Sequence, residues 1–118
     1  MSNAGRTIIR REARVWEPYD LEGPEQLSFG LIRITYEKGS AGRSGEGTYL
    51  MKIPPGGETL PHDHDGYEDF LILDGELIDD DGTVIRAGDV VTYAPGSHHN
   101  SRTVTGCTIL VTEWRRSE

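Results

Sequence analysis

Cysteine is nearly absent from this sequence of 118 residues, which has Cys107 and no other. A disulfide within the chain is therefore excluded, and so are zinc sites built from four cysteines or from two cysteines and two histidines. Long apolar runs are missing too. The longest are a few residues, far short of the roughly 20 that span a bilayer, and the N-terminus has no apolar signal core. The expectation is a soluble cytoplasmic protein that meets no membrane. Positive charge is scarce: 12 Lys and Arg stand against 20 Asp and Glu, a net charge of -8. That is the wrong sign for a protein whose affinity comes from neutralising phosphates, so nucleic acid is not an expected partner. Helical periodicity is also hard to find.

What the chain does have is punctuation and short alternation. With 15 Gly and 6 Pro, it favours many short strands over a few long helices. The alternating stretches rich in β-branched and aromatic residues predict strands at 29–37, 48–53, 67–73, 76–79, 83–86, 90–93 and 108–114. In the first of these Ile32, Ile34 and Tyr36 share a face. Between the strands lie Pro54-Pro55-Gly56-Gly57, Asp80-Asp81-Gly82 and Ala94-Pro95-Gly96-Ser97, each suited to a turn. Strands at this spacing predict an all-β barrel or jelly roll. Neither repeat nor domain boundary is visible, so residues 1–118 read as one domain, with an N-terminal arm over about 1–28 and a barrel over about 29–114. Charge is uneven: residues 57–89 hold eleven acidic side chains and one basic, Arg86, while Arg6, Arg10, Arg11 and Arg14 make the arm basic.

The four histidines fall in two clusters, His62 with His64 and His98 with His99. In a strand, residues two apart share a side, so His62 and His64 present both imidazoles to one face, and Glu68 has the same parity. Two neutral imidazoles and one carboxylate can then converge on a point about 2 Å from each. A fourth ligand would come from the second cluster, where the chain turns at Pro95-Gly96-Ser97 and a new strand starts near His99. Nitrogen and oxygen donors without sulfur suit Fe(II), Mn(II), Co(II), Ni(II) or Zn(II).

These residues carry a resemblance. Gly56, His62, His64, Glu68 and Gly75 match the pattern G-x5-H-x-H-x3-E-x6-G at every spacing, and the chain resembles the cupin family, whose first signature this is. The second signature, G-x5-P-x-G-x2-H-x3-N, is met at Gly88, Gly96 and His99, while Ala94 replaces the proline and Thr103 the asparagine. The resemblance covers roughly 48–114. It implies a double-stranded β-helix barrel holding one divalent transition metal per chain, Fe(II) being favoured over Mn, Ni, Co or Zn, on His62, His64, Glu68 and His99. His98 falls outside the motif position. The runs from Gly66 to Leu77 and from Pro95 to His99 resemble the subgroup with the cupin domain of ChrR-type anti-sigma factors, and diketone-cleaving and hydroxyacetophenone-cleaving dioxygenases are similar. Such anti-sigma factors carry a helical zinc domain ahead of the cupin, for which 118 residues leave no room. The family also implies pairing of small chains through their sheets, hence a homodimer.

Other patterns carry less. Asp63-His64-Asp65-Gly66 is not a calcium loop, because Glu68 stands where such a loop needs its glycine. The glycine-rich stretch from Gly39 to Gly47 lacks the Lys-Ser/Thr ending of a phosphate loop and is expected to be a hairpin loop at the barrel mouth. Cys107 reads as a small buried hydrophobe, and nothing like a nucleophile elbow surrounds Ser97. The functional expectation is a metal-dependent enzyme with dioxygenase-type chemistry on a small dicarbonyl or hydroxyketone. The alternatives are a metal-dependent isomerase or lyase, or a sensor that binds a small ligand without turnover.

Overall fold

The computed structural model describes residues 4–21, 28–40, 43–60 and 62–116, with the side chains of 62 and 63 outside the description. The alternating stretches form strands, and the period of two decides which side chains go inside. Strand β3 (Gly47–Ile53) buries Tyr49, Met51 and Ile53; β10 (Cys107–Trp114) buries Cys107, Ile109 and Val111; β5 (Tyr67–Asp79) buries Phe70, Ile72 and Leu77. The three meet as adjacent antiparallel strands in the order β3, β10, β5, so their inward faces merge into one core with Tyr19, Phe29, Leu31, Ile85 and Tyr93.

Around that centre, β2 (Gly30–Arg33) lies beside β3 and β1 (Glu17–Pro18) beside β2. The long β5 serves two neighbourhoods. Its first half runs between β10 and β7 (Val90–Tyr93), its second between β6 (Val84–Arg86) and β9 (Ser101–Arg102). A separate ladder joins β4 (His62–Asp63) to β8 (His98–His99). Among the described residues every pairing is antiparallel. Among the described residues the one helical turn is the 3-10 turn Arg11–Ala13, and no helix is long and apolar enough to cross a membrane.

Two strand expectations change. The stretches 67–73 and 76–79 are one strand, continuous through a bulge. Gly75 there has φ +79° and faces the carbonyl of Gly106 so closely that a β-carbon has no space. The stretch 29–37 stops as a strand at Arg33. The amides of Ile34, Thr35 and Tyr36 then all donate to the single carbonyl of Thr48, at 3.0, 3.0 and 3.2 Å. This irregularity shifts the alternation, so Leu31 and Tyr36 are buried, whereas Ile34 is 41% exposed and Ile32 lies on the opposite face from Leu31. The hairpin at Asp80-Asp81-Gly82 forms as expected, with Gly82 N donating to Asp79 O at 2.9 Å and Thr83 N to Asp81 Oδ1 at 2.9 Å.

Candidate metal centre

The two histidine clusters meet because their backbones are stitched together. In the β4–β8 ladder His62 stands opposite His99 and Asp63 opposite His98. Beyond the ladder His64 N donates to Ser97 O at 3.0 Å and Gly96 N to His64 O at 2.7 Å. The chain then turns back through Gly66, where a β-carbon would sit 2.8 Å from the carbonyl of Trp114. Only glycine lets it pass that close to the end of β10 on its way to Glu68, which pairs with Tyr93 of β7 and Glu113 of β10.

His64, Glu68 and His99 thus converge, all buried, at 7, 6 and 2% exposure. Glu68 Oε1 lies 3.6 Å from His64 Nε2 and 3.3 Å from His99 Nε2, and the two imidazoles stack with centroids 4.8 Å apart. One ligand atom from each residue lies within 4.8 Å of the others. Two donors each about 2.1 Å from one ion stand about 3.0 Å apart at right angles and about 3.4 Å apart at the tetrahedral angle. The donor separations and the nitrogen and oxygen set therefore fit a first-row divalent ion. His62, the remaining expected ligand, faces His99 in the backbone register, and its side chain lies outside the described residues. His98 is exposed, on the other side of β8 from His99. Ser97 spends its hydroxyl within the turn, donating to Ala94 O at 2.6 Å.

Behind His99 lies a polar cluster that sequence reasoning missed. His99 Nδ1 is 3.2 Å from Ser101 Oγ; Ser101 Oγ donates to Asp79 Oδ1 at 2.5 Å, and Tyr93 Oη donates to Asp79 Oδ2 at 2.6 Å. Burial alone would push the Asp79 carboxyl up, but hydrogen bonds from His99, Ser101 and Tyr93 outweigh it and hold the group below its ordinary range. The Tyr93 phenol is pushed far up, by burial first and by Asp79 second, and its ring stacks on His99 at 3.8 Å. These groups come from β5, β7 and β9, so no local pattern announces them.

His64 and Glu68 also line a cavity of about 450 Å³ that opens toward solvent, together with Tyr36, Tyr49, Lys38 and Arg43. Burial is the main cause that pushes both tyrosine hydroxyls up, so the phenols stay neutral. The loop expected at the barrel mouth is there: Gly39, Arg43, Ser44 and Gly45 form the rim, while residues 41 and 42 lie outside the described residues. Arg115 fastens this rim, donating to Ser44 O at 2.7 Å and standing 3.0 Å from Asp65 Oδ1, while Ser44 N donates to Asp65 Oδ2 at 3.2 Å.

Comparison with known proteins gives the family and the fold. A family model described as the ChrR Cupin-like domain matches residues 9–116. A chain from the crystal structure of Rhodobacter sphaeroides SigE with the anti-sigma ChrR is similar at TM-score 0.66 and 21% identity, covering 89% of this chain and 52% of that one. This chain therefore spans about half the length of that relative. A putative ethanolamine utilization protein Q from Salmonella typhimurium matches at TM-score 0.71 and 21% identity, covering 98% of this chain and 91% of that one. An RmlC-like cupin from Shewanella frigidimarina matches at 0.64 and 17%, covering 97 and 95%. At these identities the likeness shows the fold alone, the all-β double-stranded β-helix. No curated protein matches the chain.

Proposed function

This chain belongs to the family of ChrR cupin-like domains, and from that premise we propose that it is a metal-dependent enzyme acting on a small oxygen-bearing substrate. His64, Glu68 and His99, joined by His62, hold one divalent transition metal per chain, with Fe(II) favoured. The observation that carries the reading is that His64 and Glu68 belong both to the buried donor cluster and to the wall of the 450 Å³ cavity. An ion held there is reachable by a small molecule, unlike a closed structural site.

When bound, such an ion would supply Lewis acidity toward a chelating dicarbonyl or hydroxyketone and, as Fe(II), a redox-active centre through which the substrate's own electrons pass to O2. The protein's own groups do the rest. Tyr36 and Tyr49 offer neutral phenols on the cavity wall, and Lys38 and Arg43 bring positive charge to it, which favours a substrate with developing oxyanion character. Arg115 and Asp65 hold Ser44, and with it the described part of the rim, in place.

A second reading, a sensor that binds a small ligand without turnover, draws support from the ChrR relative, an anti-sigma protein found with SigE. The deciding experiment is oxygen uptake by the Fe(II)-loaded full-length chain against a panel of β-dicarbonyls and hydroxyketones. Uptake that Glu68→Ala abolishes supports the dioxygenase. Conversion of a substrate without oxygen uptake supports the isomerase or lyase. Binding to the Fe, Mn, Ni, Co and Zn forms with no conversion supports the sensor.

The reading places the protein in the cytoplasm as a homodimer. Supporting the dimer, adjacent strands align Ile32, Leu50, Leu110, Leu71 and Val90 in one apolar row on the sheet face turned away from the core, where Leu50 is buried and Ile32, Leu110 and Leu71 are half-buried. Val90 is 69% exposed, and the arm with Arg6, Arg10, Arg11 and Arg14 offers charge complementary to the acidic stretch 57–89 of a second copy.

A further inference from the structure

We propose that a cleft on the sheet face turned away from the core, walled by the N-terminal arm and by β3, β10 and β5, binds a small phosphate monoester through Arg11, Arg14 and Lys52. The site lies across the sheet from the metal centre and does not rest on the reading above.

The run Arg11-Glu12-Ala13-Arg14 sets two of the cations. A 3-10 turn has three residues per turn, so side chains three apart stand over one another. The turn Arg11–Ala13, closed by Ala13 N donating to Arg10 O at 3.0 Å, therefore sends Arg11 and Arg14 to the same side. Both line a cleft of about 380 Å³. Lys52 joins them from β3, where the period of two turns it outward between the buried Met51 and Ile53. Its ammonium lies 5.8 Å from the centroid of the Trp16 ring, which fixes it at the cleft wall. Trp16 in turn packs on Gly30, where a β-carbon would come within 3.0 Å of the indole.

Three cations thus meet in a chain with 20 acidic residues to 12 basic. Among the described residues none of the three forms an ion pair. Arg14 Nε is also buried with no hydrogen-bond partner. Like charges gathered without a counter-charge, one of them partly desolvated, raise the energy of the fold, and an anion between them lowers it. The one carboxylate on the wall is Asp74 of β5. In the register Lys52, Thr108, Asp74 it stands two strands from Lys52, about 10 Å at the usual strand spacing. The surplus is two positive charges, the complement of a phosphate monoester, which carries nearly two negative charges at neutral pH. Trp16 and Leu73, the latter 39% exposed, give apolar walls for the ester group, and the volume suits a small molecule. Arg6 and Arg10 are not part of the wall and remain for the acidic stretch of a second copy.

The test uses the metal-free full-length chain carrying Trp114→Phe, so that Trp16 is its one indole. Its fluorescence is titrated with phenyl phosphate and with benzoate, each against NaCl at matched ionic strength. The expected result is a saturable response to phenyl phosphate, with an affinity about tenfold weaker in Arg14→Gln and in Lys52→Gln. Asp74→Asn, which removes the opposing carboxylate, is expected to bind phenyl phosphate more tightly than the parent chain, a gain that misfolding does not produce. A response no larger than that to NaCl, or parent affinity in both Arg14→Gln and Lys52→Gln, overturns the site. Benzoate bound as tightly as phenyl phosphate overturns the assignment to a phosphate.

Discussion

Glu68 and His99, 31 residues apart in the chain, bring Oε1 and Nε2 within 3.3 Å of each other inside the barrel. On the proposed reading an ion shared by this carboxylate and imidazole would be a folding ligand as well as a cofactor. Saturation at a hundred times the dissociation constant is expected to stabilise the chain by about 2.7 kcal/mol, or roughly 10 °C in melting temperature. In Glu68→Ala the same metal concentration is expected to shift the melting temperature by less than half as much. Scanning calorimetry with Mn(II) or Co(II), with and without chelator, measures both.

Glu76 ties down the loop that follows β9. It accepts from Thr105 Oγ1 at 2.5 Å and from the amides of Thr105 and Val104 at 3.1 and 3.4 Å. The Thr105 hydroxyl is the main cause that holds its carboxyl below the ordinary value. A group depressed in the folded state stabilises above its unfolded pKa, about 4.3, and that contribution disappears as pH falls through the lower folded value. Glu76→Gln is expected to be less stable at neutral pH by about 1 kcal/mol or less, since the carboxylate is partly solvated. The gap to the parent chain should close below about pH 4, a trend that urea melts across a pH series test.

Cys107 lies in the core opposite Gly75, and burial, aided by the charges of Glu76 and Asp74, pushes its thiol up to about 12. Little thiolate is therefore present at pH 8, and Cys107 is 4% exposed. Ellman's reagent is expected to leave the native protein unmodified at pH 8 and to titrate one thiol per chain in guanidinium chloride. Rapid reaction of the native chain would show that the core near β10 opens.

The apolar row on the outer sheet face sets the expected assembly. Sedimentation of the parent chain should give a dimer, and Leu110→Lys, at the centre of the row between Leu50 and Leu71, should give a monomer with an unchanged circular dichroism spectrum. A parent chain that sediments as a monomer at micromolar concentration contradicts the dimer.

Much of this architecture is legible in the sequence because a period of two survives wherever a strand is regular, as in β3 and β10. It fails where the backbone breaks the period. The triple acceptor at Thr48 O puts Tyr36 inside and Ile34 outside, and no reading of side-chain types at 29–37 shows that. The two-residue strands β4 and β8 are too short to have a period, though they are what bring the histidines face to face. His64, Glu68 and His99 could be singled out by motif spacing, whereas the strand parity expected to join His64 to Glu68 does not exist, since β4 ends at Asp63 and β5 begins at Tyr67. Asp79, Ser101 and Tyr93 could not, since they meet only through pairing between distant strands, and Asp79 hides in a run of acidic residues that reads as a solvated turn.

Elemental analysis of protein purified without added metal, on the parent chain beside His64→Ala and Ser97→Ala, tests the central claim most directly. The expected result is close to one first-row divalent ion per chain in the parent and in Ser97→Ala, whose hydroxyl is used within its own turn, and little metal in His64→Ala. Equal metal content in the two variants, or a parent chain that neither retains nor takes up a divalent ion, would contradict it.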